Sequence, residues 1–208
     1  MCTYHVGVAF RRGCPTNWYD RLVMETTRGP FVHAELVLQD GDRVRTYGAM
    51  SLPHRPNTSA IIPTNYRSTH TPPAWETVRF PVQRAAYNAA YAMILQLMSM
   101  PIQYNRADLW QCVVPVLLPF EVDVDPRQLP TWASAGGVFC SQFCLLALRR
   151  LAMQGHLRGQ PALTARLFRG NSRGCSPNAL HTMLSECPEK KGTNHGEPPT
   201  LNRVHSIR

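Results

Sequence analysis

A cysteine at the start of an apolar helix constrains the fold more than any other feature of the sequence. It lies in residues 136–150, GGVFCSQFCLLALRR, where two glycines lead into the apolar run. Phe143, Ala147 and Arg150 recur at helical spacing, which predicts a helix beginning at or next to Cys140. The free N–H groups and the positive end of the helix dipole favour a thiolate at that position. Cys140 is therefore a candidate nucleophile, and the alternative is an ordinary buried cysteine.

A β-hairpin is the second strong signal. Residues 31–38 (FVHAELVL) and 43–48 (RVRTYG) have β-type composition, and the dipeptide Asp40-Gly41 lies between them. Asp-Gly between two such runs is the strongest short-range hairpin signal, so we expect these two residues to form the turn.

This turn predicts which side chains share a face of the hairpin. If Asp40 and Gly41 are the turn residues, then Glu35 is opposite Thr46 and His33 is opposite Gly48. All four positions then lie on one side of the sheet. A one-residue slip of the turn would replace Thr46 with its neighbour Tyr47.

The rest of the chain adds short strands, one long loop and several helices. A Pro-, Asn-, Ser- and Thr-rich segment at 52–73 reads as a loop with one brief strand. Further strands are predicted at 4–10, 20–27 and 75–81, and a helix at 82–98. A last helix is predicted to start with Ser176 as N-cap and Pro177 at its first position. We therefore predict an α+β fold in which an antiparallel sheet packs against the cysteine helix.

Length and composition predict one domain and a tail. A chain of 208 residues with 44% hydrophobic residues can bury one good-sized core. Residues 1–187 are assigned to that domain, and the polar, turn-rich residues 188–208 to a disordered tail.

The cysteines indicate a reducing compartment. Seven of them occur at irregular spacing without a Cys-x-x-Cys pair, and we expect no metal site and no cofactor. The chain opens without a leader pattern, and no apolar run reaches the length of a membrane span. A soluble, cytoplasmic protein is the expectation. The net charge of +9 would attract an anionic partner weakly, since no run of five basic residues occurs.

A nucleophilic cysteine needs a base, and His33 is the leading candidate among eight histidines. His33 and His5 are the two on predicted strands, and His5 is kept as the reserve base. A cysteine at a helix N-terminus facing a histidine on the sheet is the papain arrangement. Here the histidine precedes the cysteine in the chain, which is the reverse of the papain order.

That order carries a resemblance to a known superfamily. Residues 31–42 and 139–143 resemble the circularly permuted papain-like enzymes, which include NlpC-type hydrolases, relatives of lecithin retinol acyltransferase, and viral members. Tyr104-Asn105 looks like an element that often lies between the histidine and cysteine segments, and residues 176–180 (SPNAL) look like one that often follows the cysteine helix. The resemblance spans roughly residues 4–185 and implies a permuted papain-like fold, with Cys140 as nucleophile. The proline- and arginine-rich style of the loops suits a viral protein, located in a host cell or a virion.

The third catalytic position departs from the family pattern. The family usually places His, Glu, Asn or Gln on the strand after the hairpin, and the matching residue here is Thr46. Threonine cannot offset the charge of an imidazolium, so either a Cys–His dyad or a triad completed by Glu35 or another residue is implied. Glu35 lies about 7 Å along the strand from His33, which favours a charge at the rim of the site. The Cys140 N–H and Tyr104 are the candidate oxyanion donors.

Three functions follow from these residues. The first is a cysteine hydrolase of an amide, isopeptide or thioester bond, with His33 as general base and acid. The second is a thiol acyltransferase or lipid hydrolase of the same fold. The third is a non-catalytic binding or virion protein that retains the fold. A protein or acyl-bearing molecule is the expected substrate of the first two.

Overall fold

The computed structural model describes residues 3–52, 55–64, 74–103, 123–135 and 137–186. Six strands and six α-helices lie in these ranges. The strands are β1 (Tyr4–Arg12), β2 (Phe31–Asp40), β3 (Arg43–Leu52), β4 (Arg55–Thr64), β5 (Trp75–Val82) and β6 (Ile102–Gln103). The helices are α1 (Trp18–Thr27), α2 (Arg84–Met98), α3 (Leu129–Ala135), α4 (Cys140–Met153), α5 (Pro161–Leu167) and α6 (Pro177–Ser185). Short 3-10 turns occur at Pro126–Gln128 and Ser172–Gly174.

The strands form one antiparallel sheet in the order β5-β1-β2-β3-β4-β6. The predicted α+β class with an antiparallel sheet is confirmed. The predicted tail at 188–208 lies outside the described residues.

Helix α4 is the central helix of the molecule. Eleven of its 14 residues are buried, and it packs against β2 and β3. Helix α2 contacts β1, β2 and β4, and α6 contacts β2 and β5. The main core joins strand residues such as Val8 and Leu36 to Phe143 and Leu148 of α4. Burial on all sides holds α4 fixed relative to the centre of the sheet.

The predicted strand at 20–27 is wrong, because this segment is helix α1. The side chain of Asn17 caps the helix by accepting from the N–H groups of Tyr19 and Asp20. The β-branched Thr26 and Thr27 suggested a strand, but their hydroxyls donate to carbonyls one turn back in the helix. The capping signal outweighed a weak β-propensity.

The hairpin is confirmed, but its register differs from the prediction by two residues. The turn is Gly41-Asp42, with Gly41 at φ +54°, and Asp40 pairs with Arg43. Val37, rather than Glu35, is therefore opposite Thr46. A two-residue shift keeps every side chain on its predicted face, because the side-chain period of a strand is two.

The brief strand predicted within the loop at 52–73 is longer than expected. Residues 55–64 form β4, which pairs with β3 over most of its length. The polar and proline-rich composition concealed its full length, whereas pairing with β3 satisfies its backbone groups. None of the described helices is long and apolar enough to cross a membrane.

Candidate active site

Cys140 is the first residue of helix α4, as predicted. The N-cap residue Phe139 is extended, with φ −113° and ψ 174°, and no side chain caps this end of the helix. Gly137 has φ +79°, a conformation that favours glycine and turns the chain into the helix. The Cys140 side chain is buried, with 3% of the residue exposed. The thiol therefore lies at the first turn of the helix, largely shielded from solvent, and the backbone of Ser141 hydrogen-bonds it.

His33 reaches this thiol because β2 and β3 separate near it. The pairs between these strands end at Leu36–Tyr47, while β1 continues to pair with β2 as far as Phe31. In this part of β2, which is not paired with β3, the backbone of Ala34 hydrogen-bonds the Cys140 sulfur. The structure brings the two predicted residues together.

The pair is electrostatically coupled. Burial disfavours the imidazolium, but the negative charge of the Cys140 thiolate, a hydrogen bond to Cys140 and the nearby Glu35 carboxylate outweigh it and raise the pKa of His33 to about 9. Burial likewise disfavours the thiolate, yet the charge of His33 and its hydrogen bond hold the pKa of Cys140 below its usual range. Backbone hydrogen bonds with Ala34 and Ser141 act in the same direction. The arrangement favours a thiolate–imidazolium pair.

Glu35 is buried and faces His33, contrary to the expected rim charge. Its Oε1 lies 3.4 Å from Nε2 of His33, an ion-pair distance, and only 6% of its side chain is exposed. Neighbouring positions of the same face of a strand are about 7 Å apart along the backbone, so the two side chains lean towards each other. Glu35 can therefore compensate a positive charge on His33 in a site of low dielectric.

Thr46 does not contact the imidazole. Its hydroxyl donates to the carbonyl of Thr64 at 2.6 Å, and its oxygen lies 2.8 Å from the Thr64 hydroxyl oxygen. The Thr64 hydroxyl has one proton, and its shorter contact, at 2.6 Å, is the donation to Oε2 of Glu35. Thr46 is thus connected to His33 only through Thr64 and Glu35. Sequence reasoning did not single out Thr64, because it lay in a segment read as loop.

Two aromatic residues near the pair were also missed. The ring of Trp75 on β5 lies edge-on to His33, with centroids 6.3 Å apart, and both residues flank Arg11 of β1. Tyr19 of α1 is partly buried, and burial followed by the negative charge of Cys140 raises its pKa. The strand alternation of β1 and β5 could have placed Trp75, whereas Tyr19 belongs to a helix, Trp18–Thr27, that the sequence did not predict.

The other described cysteines have different environments. Burial and the charge of Cys140 raise the pKa of Cys144 well above its usual value, and burial raises that of Cys175 to about 12. Cys14 is exposed, and hydrogen bonds with Thr16 lower its pKa. Cys144 and Cys175 should therefore be inert thiols, while Cys14 is an accessible one.

The remaining candidates do not enter the site. His5 lies six residues along β1 from Arg11, the partner of His33, which is about 20 Å. Tyr104 lies outside the described residues. Among the residues that the structure describes, no group of three or more His, Cys, Asp or Glu side chains could hold a metal ion.

Comparisons with protein-family models, with characterised proteins and with solved structures give no match to this chain.

Proposed function

We propose that this chain is a cysteine hydrolase that cleaves an amide, isopeptide or thioester bond. Cys140 is the nucleophile, and His33 is the general base and acid. The observation that carries the proposal is the buried Cys140–His33 pair, in which the thiol pKa is lowered and the imidazole pKa is raised to about 9. Perturbed groups that stabilise each other's charged forms are typical of active sites.

We further propose that the fold is of the permuted papain-like type. The support is the chain order: a histidine on β2 of an antiparallel sheet, followed about a hundred residues later by a cysteine at the start of a central helix. The helix that begins after Ser176 has the predicted N-cap, since the Ser176 hydroxyl accepts from the Ala179 N–H at 3.1 Å.

In the first half of the proposed reaction, the Cys140 thiolate attacks the carbonyl carbon and the π electrons move to oxygen. The Cys140 N–H is free at the helix start and can donate to this oxyanion. When the tetrahedral intermediate collapses, the His33 imidazolium gives its proton to the leaving group, which departs as a neutral amine or thiol, and His33 becomes neutral. Cys140 then carries the acyl group as a thioester.

In the second half, neutral His33 takes a proton from water while the water oxygen attacks the thioester. Collapse releases the carboxylic acid and expels Cys140 as the thiolate. The thiolate–imidazolium pair is thereby restored. A thiolate nucleophile requires a reducing environment, and the four described cysteines, Cys14, Cys140, Cys144 and Cys175, are all free thiols.

We assign the third catalytic position to Glu35 instead of Thr46. Glu35 has a carboxylate oxygen 3.4 Å from Nε2 of His33, whereas the Thr46 hydroxyl bonds to Thr64. With Nε2 directed to Glu35, the Nδ1 side of the ring is left for the thiol. A carboxylate stabilises an imidazolium, which a hydroxyl does not.

Alkylation by iodoacetamide at pH 6.5, resolved by peptide mass spectrometry, tests the nucleophile. An ordinary thiol is only about 1% thiolate at this pH. We expect Cys140 to react at least about tenfold faster than Cys144, and His33→Ala to abolish the difference. The Cys14→Ser variant removes the exposed thiol among the four described cysteines.

Equal labelling of Cys140 and Cys144 in the wild-type chain would overturn the proposal. Where labelling is selective, fluorogenic amide, isopeptide and thioester substrates, with Cys140→Ser as the negative control, identify the bond that is cleaved. Transfer of the acyl group to an added amine in preference to water would favour an acyltransferase.

A further inference from the structure

Both oxygens of the Glu35 carboxylate lie next to a polar group. Oε1 lies 3.4 Å from Nε2 of His33, and Oε2 accepts from the Thr64 hydroxyl at 2.6 Å. Residue Thr64 is on β4 and Glu35 is on β2, so this hydrogen bond spans the intervening strand β3.

Gly48 of β3 leaves room for that crossing. A Cβ at this position would lie 3.5 Å from Cγ of Glu35 and 3.6 Å from Nε2 of His33. Gly48 is opposite Ile62 of β4 and directly follows Tyr47, the last residue of β3 that pairs with β2. The missing side chain lets the carboxylate lie over β3 and reach Thr64.

The position of Thr64 is itself fixed. Thr64 is directly opposite Thr46, whose hydroxyl donates to the Thr64 carbonyl. The strand pair therefore fixes the backbone of Thr64, and its hydroxyl oxygen lies 2.8 Å from Oγ1 of Thr46 and 2.6 Å from Oε2 of Glu35. The last side-chain torsion angle of a glutamate can take a broad range of values. A hydrogen-bond donor to one carboxylate oxygen therefore determines where the other oxygen points.

We propose that Thr64 is a positioning residue of the active site, which orients the Glu35 carboxylate towards His33 from the far side of β3. The proposal rests on the proposed function for its catalytic meaning. The contact itself is a property of the folded chain and is measurable without a substrate.

The test is the titration of the His33 ring by NMR, with His33→Gln used to assign its signal. In Thr64→Val the carboxylate loses its donor and is free to turn away from the ring, so we expect the His33 pKa to fall by about one unit. Thr64→Ser keeps the hydroxyl and should retain the wild-type value. Should valine prevent folding, Thr64→Ala removes the same hydroxyl with less bulk.

A double-mutant cycle distinguishes positioning from a general structural effect. If Thr64 acts through Glu35, then Glu35→Gln/Thr64→Val titrates like Glu35→Gln alone. Thr26→Val is the matched control, since the Thr26 hydroxyl bonds only to the helix carbonyls of Leu22 and Val23, and it should leave His33 unchanged. An unchanged or raised His33 pKa in folded Thr64→Val would overturn the proposal.

Alkylation of Cys140 in the same samples keeps the two claims apart. Slow, unselective labelling of the wild-type chain would contradict the hydrolase function, while the titrations would still decide the role of Thr64. Selective labelling that Thr64→Val leaves intact, with no change at His33, would contradict only the positioning role.

Discussion

At the scale of single residues, opposing effects decide the charge of His33. Burial alone would keep the imidazole neutral, since removing a cation from water is costly. The thiolate of Cys140 and the nearby carboxylate of Glu35 outweigh that cost and raise the pKa of His33 to about 9. The same charge acts back on Cys140 and lowers its pKa. Each group is thus charged because the other one is, and the two titrate as a pair.

The pH dependence of hydrolysis follows from these shifts. The competent state has a thiolate and an imidazolium, so activity should rise as the pH passes the lowered pKa of Cys140 and fall as His33 loses its proton near pH 9. The measurement is kcat/KM against pH on a thioester or amide substrate. A rate that keeps rising beyond pH 10 would mean that His33 does not deliver a proton to the leaving group.

Gly48 provides a second prediction at this scale. A Cβ added there would meet its nearest neighbours at 3.5–3.6 Å, which are ordinary van der Waals distances, so Gly48→Ala should fold and keep selective labelling of Cys140. Gly48→Val adds two methyl groups towards Glu35 and His33 and should reduce Cys140 labelling at pH 6.5 by about tenfold or more. Equal labelling of the two variants would show that the space above Gly48 is not needed by the Glu35 side chain.

At the scale of elements, helix α6 secures the beginning of β2. Asn178 accepts from the Phe31 N–H and donates to the Phe31 carbonyl, both at 2.9 Å, which imitates the pairing of a neighbouring strand. Its amide also donates to the Thr27 hydroxyl at 2.6 Å, at the end of α1. Because His33 is two residues from Phe31, this contact connects α6 to the site.

Asn178→Ala should therefore affect both stability and the site. The substitution leaves the buried backbone N–H and carbonyl of Phe31 without their partner. We therefore expect the free energy of unfolding, measured in urea, to fall by about 2–3 kcal/mol. We also expect slower labelling of Cys140. Ser176→Ala is the matched control, because it removes the N-cap of the same helix and leaves the Phe31 contacts in place. Loss of the N-cap should lower the free energy of unfolding by about 1 kcal/mol. If both variants slow labelling equally, the stability of α6 matters and the Asn178 contact does not.

At the scale of the whole molecule, a buried arginine joins distant segments around the central helix. Arg149 of α4 is 1% exposed and donates to the carbonyls of Leu167 and Gly170 and to Asp123. Asp123 in turn accepts from the N–H and hydroxyl of Ser172. These bonds outweigh the effect of burial and lower the pKa of Asp123. One side chain thus fixes the segment before α3 and the turn after α5 on the far end of α4.

Arg149→Met should destabilise the fold by about 3 kcal/mol, since it removes the cation from a largely buried pair whose carboxylate is itself partly exposed. Thermal or urea unfolding measures the change. The control is Arg150→Met, at the half-buried neighbouring position, whose free energy of unfolding should stay within about 1 kcal/mol of the wild-type value. Unchanged selectivity of Cys140 labelling in the folded Arg149→Met protein is expected, because this network lies away from the first turn of α4. If Arg149→Met lowers the free energy of unfolding by less than about 1 kcal/mol, water replaces the hydrogen bonds of the arginine.

Local sequence signals determined the start of α4 at Cys140, the hairpin after β2, the N-cap of α6 and the shared face of His33 and Glu35. Caps, turns and strand alternation act between near neighbours, so the residues themselves carry them. Tertiary structure alone decided the separation of β2 from β3, the burial of Glu35, and the contacts of Thr64, Tyr19 and Asn178. These features depend on the register of the strands and on the packing of helices from distant parts of the chain. A two-residue change of register leaves the alternation along each strand unchanged, but it replaces every cross-strand partner.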